Sequence, residues 1–384
     1  MVYLGIDVAK DKHDCYIVNS DGEILANVFT IPNDQAGFNL LLQKLKSVAP
    51  DLSKVKVGLE ATGHYSYNIL GFLLDNGLHT YVINPLHVNL FRKAANIRKT
   101  KTDPIDARTI AEMIMSNVVL TSYTAKSYHN EELKSLTRYR FDKVHERARL
   151  KTSVARLVSI LFPELEKLVP TLHMHTVYAL LTEFPGARQI ASCLLTRLTH
   201  LLSESSKGRY KRDKAIQIRE AARSSIGSVM PVKSLELKHT IHLIEVLTAE
   251  IDEIELSIKR IMDADPSPIL TIPGISYRMG AMILSEIGDF SRFTSPDQIL
   301  AYAGLSPSTY QSGKLDNAYP HMEKRGSHYL RFALFNATRY VCNWDPTFAS
   351  YLAKKRAEGK HYYVAISHAT KKLVRLVNMD VASF

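Results

Sequence analysis

Residues 2–32, VYLGIDVAKDKHDCYIVNSDGEILANVFTIP, hold three β-rich runs broken by polar turns. VYLGID at 2–7 and DCYIVNS at 14–20 flank the polar AKDKH, and EILANVFTI at 23–31 follows the turn Ser20-Asp21-Gly22. Tyr, Val, Ile and Phe suit strands and Asp-Gly punctuates a hairpin, so the stretch reads as a three-stranded antiparallel meander. Downstream, Phe38, Leu41, Leu42 and Leu45 carry a helical period. The strand VKVGLEA (55–61), a helix from His64 to about Asn76, the strand HTYVINP (79–85) and a helix from about Pro104 complete the region.

The order β-β-β-α-β-α-β-α matches the ribonuclease-H-like (RuvC-like) fold, in which a meander joins a parallel extension and strand ends converge on one edge. Asp7 would end the first strand and Glu60 the fourth. Asp103 and Asp106, three residues apart, would share a face at the start of a helix whose first turn accepts Pro104. Taken singly, Asp103 is a helix cap and Glu60 a polar strand end. Four carboxylates on rigid element ends form a set suited to a hard divalent cation in phosphoryl chemistry, Mg2+ or Mn2+.

Composition bounds the partners. The 384 residues carry 49 Lys and Arg against 38 Asp and Glu, a net charge of +11 that favours polyanions, nucleic acid first. Cys15, Cys193 and Cys342 are few and far apart, which excludes a disulfide framework or zinc ribbon and fits a reducing cytoplasm. The chain shows no leader and no apolar run of membrane-spanning length, so the reading is a cytoplasmic, nucleoid-associated protein with no membrane partner.

From about Glu131 to Leu168 the pattern is long-helical, with Leu150, Val154, Leu157 and Leu161 on one face and a basic remainder that includes Arg138, Arg140, Lys143 and Arg156. A second long helix, about Ser234 to Met262, repeats the spacing through Leu247, Ile251, Ile254, Ile258 and Ile261. Both read as packing or dimer-forming helices whose basic flanks could track a phosphate backbone. EFPGARQIASCLLTRL from Glu183 and TIPGISYRMGAMILSEIG from Thr271 look alike, as paired helix-hairpin-helix units presenting backbone N–H groups to phosphate. Residues 207–223 form the densest basic stretch, with Arg209, Lys211 and Arg212 as candidate nucleic-acid contacts beside Lys99 and Lys101. The expected organisation is an α/β domain over 1–124, a basic coiled-coil region with an inserted subdomain over 125–265, and a mainly helical domain over 266–384.

In the last of these, Ser312 lies in Tyr310-Gln311-Ser312-Gly313-Lys314, and Lys314, Lys324, Arg325 and Arg331 could neutralise a phosphate. A serine there could attack phosphorus. No His or Asp at triad spacing activates it, and Ser306, Ser308 and Ser327 are equally plausible polar loop residues.

GIDVAKDKHD, LEATGHY, VINP, KTKTDPIDAR, IPGI, SPDQILAYAGLSPSTYQSGK and KRGSHYLRFAL together resemble the insertion-sequence one-ten family of bacterial transposases. The resemblance spans both ends of the chain. It implies an N-terminal RuvC-like domain whose Asp-Glu-Asp-Asp quartet, here Asp7, Glu60, Asp103 and Asp106, binds magnesium, and a C-terminal domain whose serine nucleophile falls on Ser312. It further implies a recombinase that cuts and rejoins donor and target double-stranded DNA through a covalent phosphoserine, guided by a non-coding bridge RNA. Dimers pairing into a tetramer, with a composite active site, complete the expectation. Two departures stand out: a middle region longer than in compact members, and a loop LDNAYPHMEKRG made less basic by Asp316 and Glu323. The chief alternative is a metal-dependent RuvC-like junction resolvase or nuclease in which water attacks. A sugar-kinase-like ATPase would need a second glycine-rich phosphate loop, which residues 125–384 lack.

Overall fold

A computed structural model describes the chain except residues 61–62, 84, 96–102, 117–124, 307–310, 313–314, 317–321 and 383–384. The chain forms two compact units, Met1–Glu132 with Gly288–Thr294, and Leu133–Ile287 with Ser295–Phe384.

The first unit is built on β1 (Val2–Val8), β2 (Lys12–Asn19), β3 (Ile24–Pro32), α1 (Gln35–Val48), β4 (Val55–Glu60), α2 (Ser66–Asp75), β5 (His79–Ile83), α3 (Pro85–Ala95) and α4 (Asp103–Met115). The sheet order is β3-β2-β1-β4-β5. β1 pairs antiparallel with β2, and β2 with β3, whereas β1–β4 and β4–β5 are parallel. The mixed sheet joined by helices is the expected architecture for this third of the chain.

Alternation along β1 divides the core. Leu4, Ile6 and Val8 join Phe38, Leu41, Ile69 and Leu73 from α1 and α2 on one face. Tyr3 joins Tyr16, Val18, Ala107, Ile110 and Ala111 on the other, under α4. A strand apolar on both faces belongs at the centre of a covered sheet, each buried Leu or Ile contributing about 2 kcal/mol. β2 begins two residues before the expected start. The hairpin turn is short, so the ladder extends through Asp7–Asp14 to Val8–His13 and carries His13 into the core.

The second unit begins within α5 (Ala125–Leu161) and continues through α6 (Leu165–Leu168), α7 (His175–Glu183), α8 (Ala187–Ser192), α9 (Leu195–Ser205), α10 (Arg212–Arg223), α11 (Pro231–Ala264) and α12 (Tyr277–Ile287). Then come α13 (Pro296–Tyr302), the short strands β6 (Gln311–Ser312) and β7 (Leu315–Asp316), α14 (His328–Trp344), α15 (Pro346–Ala357) and α16 (Tyr362–Ala382). Late α5 (Val154, Leu157, Leu161) packs with early α11 (Leu237, Ile241, Ile244). Early α5 (Leu133) packs with late α11 (Ile254, Ile258, Met262). The two long helices are therefore antiparallel. Their ion pairs run in the same register, Arg140 with Glu255, Lys143 with Glu250 and Arg156 with Glu236.

The two Pro-Gly segments, expected as a matched pair, differ. Gly186 is extended and caps the six-residue α8, whereas Gly274 has φ +92° and follows a single 3-10 turn before the eleven-residue α12. Similar words in the sequence thus make different turns.

Candidate active site

Asp7 and Glu60 are brought side by side at one end of the first sheet, on the face covered by α4, the helix that carries Asp106. Parallel pairing matches Ile6 with Leu59, so Asp7 and Glu60 are the next residues on neighbouring strands. Both fall on the same alternation as Gly5 and Gly58, which face α4. A Cβ on Gly5 would lie 2.0 Å from the Ala107 carbonyl oxygen, so glycine is what lets α4 rest directly on β1. Asp106, one residue before that contact, is buried at 6% exposure. Its Oδ1 accepts a hydrogen bond from Arg92 Nη1 at 2.7 Å, and Arg92 Nη2 donates to Asn89 Oδ1. Arg92 lies on α3, the helix that follows β5, so the pair joins α3 to α4.

A fourth acid lies on this face. Asp14 sits directly opposite Asp7 across the antiparallel ladder and accepts a hydrogen bond from Thr30 Oγ1 at 2.5 Å. Reading by strand ends overlooked Asp14 and Arg92; the signal for Asp14 was the hairpin register. Asp103 starts α4 and is described through its backbone alone. Among the described residues, no three ligating side chains close into a metal cluster. The donors nonetheless fit a hard cation by chemistry: carboxylate oxygens only, on element ends, one of them now neutralised by an arginine.

Ser312 belongs to the second unit. Read as part of a polar loop, it instead pairs with Leu315 across β6 and β7, the last ladder position before residues 313–314. The segment carrying this hairpin is closed at its base. Glu323 N donates to Ser306 O at 3.2 Å, Ser327 N to Tyr302 O at 2.9 Å, and Arg331 Nη1 to both Ala303 O and Lys324 O. Gly304 (φ +66°) and Gly326 (φ +106°) permit the crossing, since a Cβ on Gly326 would lie 2.1 Å from Tyr302 O.

Behind that base is a buried polar network. Glu286 on α12, with a fully buried side chain, accepts from Arg138 Nε (2.5 Å) and Nη2 (3.0 Å) and from Ser327 Oγ (2.6 Å). Ser327 Oγ also accepts from Leu330 N, capping α14. Burial works to raise the Glu286 carboxyl, but the hydrogen bonds from Arg138 and Ser327 outweigh it and hold the group below the ordinary carboxylate range. Arg138 also lies over the Tyr329 ring, 4.7 Å from its centroid. The network ties α5, α12 and α14 together beneath the Ser312 segment. The sequence signal for Glu286 was a lone acid on the apolar stripe Met282, Ile283, Ile287.

The chain matches two sequence profiles, a DEDD transposase profile over residues 4–163 and the transposase IS116/IS110/IS902 family profile over residues 267–353. The chain belongs to the IS110/IS116/IS902 family of transposases. It is similar to the putative transposase of the IS117 mini-circle of Streptomyces coelicolor, 28% identical over 82% of this chain and 78% of that one. It also resembles the IS116 insertion-element protein of Streptomyces clavuligerus, 25% identical over 97% and 92% of the two chains. The pilin gene-inverting protein of Moraxella bovis is 24% identical over 97% and 94%. This transposase is accordingly a DNA-recombination enzyme. Among its described residues, no helix is long and apolar enough to cross a membrane.

The transposase's expected phosphate contacts sort differently once partners are known. Arg331 is committed to two backbone carbonyls, and Arg138, Arg140, Lys143 and Arg156 are committed to acids. For Arg140, Lys143 and Arg156 the reason is the antiparallel α5–α11 pairing, which aligns the basic flank of one helix with the acids of the other, whereas Arg138 reaches Glu286 on α12. Lys211 and Arg212 begin α10 on an exposed surface with Arg209, and Lys324 and Arg325 are exposed at the base of the Ser312 segment. Lys99, Lys101 and Lys314 lie outside the described residues.

Proposed function

We propose that this transposase cleaves and rejoins the strands of donor and target double-stranded DNA with Ser312 as nucleophile, assisted by a Mg2+ or Mn2+ site on Asp7, Glu60, Asp103 and Asp106. The observation that carries the reading is the adjacency of Asp7 and Glu60 on neighbouring strands, on the sheet face that α4, with Asp106, covers. A divalent cation held there supplies Lewis-acid polarisation of a phosphate oxygen. The carboxylates would orient it on rigid strand and helix ends, with Arg92 balancing the Asp106 charge until the cation takes its place.

The Ser312 hydroxyl forms a bond to phosphorus as the strand's P–O bond breaks, giving up its proton and releasing a strand end with a hydroxyl. A hydroxyl from another strand then attacks the phosphoserine and frees the serine, so the number of phosphodiester bonds is conserved. Lys324 and Arg325 are placed to offset phosphate charge near the serine's segment. The first unit corresponds to a RuvC-like domain and the second to the transposase domain with its helical insertion. Family resemblance supports guidance by a non-coding RNA, in which base pairing rather than side chains chooses the site. It also supports dimers pairing to a tetramer, with serine and carboxylates drawn from different subunits. The Moraxella relative's name, a gene-inverting protein, accords with conservative strand exchange.

The test is reconstitution with purified protein, the RNA transcribed beside the gene, two paired duplex sites and Mg2+. Recombinant junctions that disappear with EDTA and with Asp7→Asn are expected. Junctions that form unchanged in either condition would refute the carboxylate site.

A further inference from the structure

We infer that the helical hairpin α15–α16 is a binding surface for single-stranded nucleic acid, with the backbone held by a cationic stripe and bases stacked on an exposed tyrosine pair. The hairpin's cationic part, residues 354–375, lies beyond both family-matched segments. It carries seven Lys and Arg against the single acid Glu358, a large part of the chain's +11.

The charge is ordered rather than scattered. On α16, Ile366, Ala369, Leu373 and Val377 are buried at helical spacing. Val364, His368, Lys371 and Arg375 follow i, i+4, i+7 and i+11 on the opposite face. Lys355 is taken by Glu358, 2.9 Å away. For Lys354, Lys360, Lys371, Lys372 and Arg375, no described carboxylate lies within ion-pair distance. Lys372 and Lys355 lie over the Tyr351 ring, at 4.5 and 5.6 Å from its centroid. Burial, then Lys360, Lys355 and Lys371, hold the His368 imidazole below its ordinary value, as a concentrated positive field would. Elsewhere in the second unit the long basic helix α5 has acids aligned against it; here Lys354, Lys372 and Arg375 are exposed, and Lys360 and Lys371 are half-buried beside them.

The aromatic part decides the kind of nucleic acid. Tyr363 is 58% exposed and Tyr362 36% exposed at the start of α16, beside exposed His361. Tyr363 is braced from behind by Phe335 of α14, with ring centroids 6.1 Å apart and planes 29° from parallel. His361 and Tyr362 flank the same ring at 5.7 and 5.5 Å, and a braced ring that stays 58% exposed is a platform for an unpaired base, which a duplex does not offer. Cations alone would accept any polyanion; cations beside braced, open rings favour a single strand. Both DNA and RNA carry that chemistry.

The experiment uses the full-length protein and fluorescence anisotropy with three probes of one sequence, single-stranded DNA, single-stranded RNA and duplex DNA, each about 16 nucleotides long. Tyr363→Ala should weaken single-strand binding about tenfold, with little change on duplex. The triple variant Lys360→Gln, Lys371→Gln, Arg375→Gln should reduce the salt slope on single strands by about 2, near 0.7 per lost phosphate contact. A larger loss on RNA than on DNA, or the reverse, identifies which strand the surface serves. Ultraviolet crosslinking of wild-type protein, read by mass spectrometry, should mark the peptide containing Tyr362 and Tyr363 and requires no variant to fold. Unchanged affinity and slope in both variants, equal losses on duplex and single strands for Tyr363→Ala, or crosslinks confined to other peptides would overturn the proposal. None of these readouts depends on Ser312 or on strand exchange.

Discussion

Arg92 Nη1 lies 2.7 Å from Asp106 Oδ1, and this ion pair stands where a divalent cation would make its claim on the same carboxylate. Arg92 is one-fifth exposed and Asp106 less than one-tenth, so removing the arginine strands a buried charge. Arg92→Ala should cost about 3 kcal/mol of stability without metal. Millimolar Mg2+ should recover more of the melting temperature in this variant than in wild type, because the cation then has no competitor. Equal Mg2+ effects in the two proteins would detach Asp106 from the metal site.

Gly5 tests the same site from the sheet side. Gly5→Ala places a methyl where the Ala107 carbonyl already is, so α4 must lift and carry Asp106 with it. Overpacking of this kind costs about 1–3 kcal/mol. The variant should remain folded by circular dichroism yet lose the Mg2+-dependent rise in melting temperature. Retention of that rise would show that the seating of α4 does not matter to the carboxylates.

Glu286 should prove more costly to alter than its remote position suggests. Glu286→Gln weakens the Arg138 fork and the Ser327 bond in a buried site, a loss of about 2–3 kcal/mol, while Ser327→Ala, which also removes a helix cap, should lose about 1 kcal/mol. The double variant should lose less than the sum, since the two side chains share one hydrogen bond. Denaturant unfolding measures all three, and strict additivity would dissolve the network.

His13 sets a pH dependence. It is fully buried in the first unit and stacks against Phe38, and burial holds its imidazole below its ordinary value of 6.5. Below pH 6.5 the unfolded chain takes up a proton that the folded chain resists. Stability is therefore complete above that value and falls as pH drops toward the lower folded value. His173 and His368, also lowered, add in the same direction. Between pH 7 and 5 the melting temperature should decline, and His13→Leu should flatten the decline. Parallel profiles for wild type and variant would assign it elsewhere. Glu286 adds nothing in this window, because its depressed carboxyl gives up stability only below the ordinary carboxylate range.

How much of this could be read from residues alone depended on whether a signal was local. The meander was legible because Val2 to Asp7 and Asp14 to Ser20 are apolar, β-rich runs joined by a polar segment. The placement of Asp7 and Glu60 followed from strand ends. Asp14 and Arg92 were not legible, because the first depends on hairpin register and the second on where α3 leaves the sheet. The long helices were found by spacing, yet the partners of their cations were not legible. Arg140 and Glu255 are 115 residues apart, and only antiparallel packing makes them partners. Arg331 reads as a phosphate contact in KRGSHYLRFAL until its guanidinium is seen to hold Ala303 and Lys324.

The most direct measurement is mass spectrometry of the protein after reaction with Mg2+, RNA and labelled duplex DNA, under denaturing conditions that preserve phosphoserine. The account predicts a Mg2+-dependent covalent adduct on the peptide containing Ser312, and neither adduct nor strand cleavage in a folded Ser312→Ala protein. Strand cleavage by Ser312→Ala without any adduct would contradict it and identify water as the nucleophile.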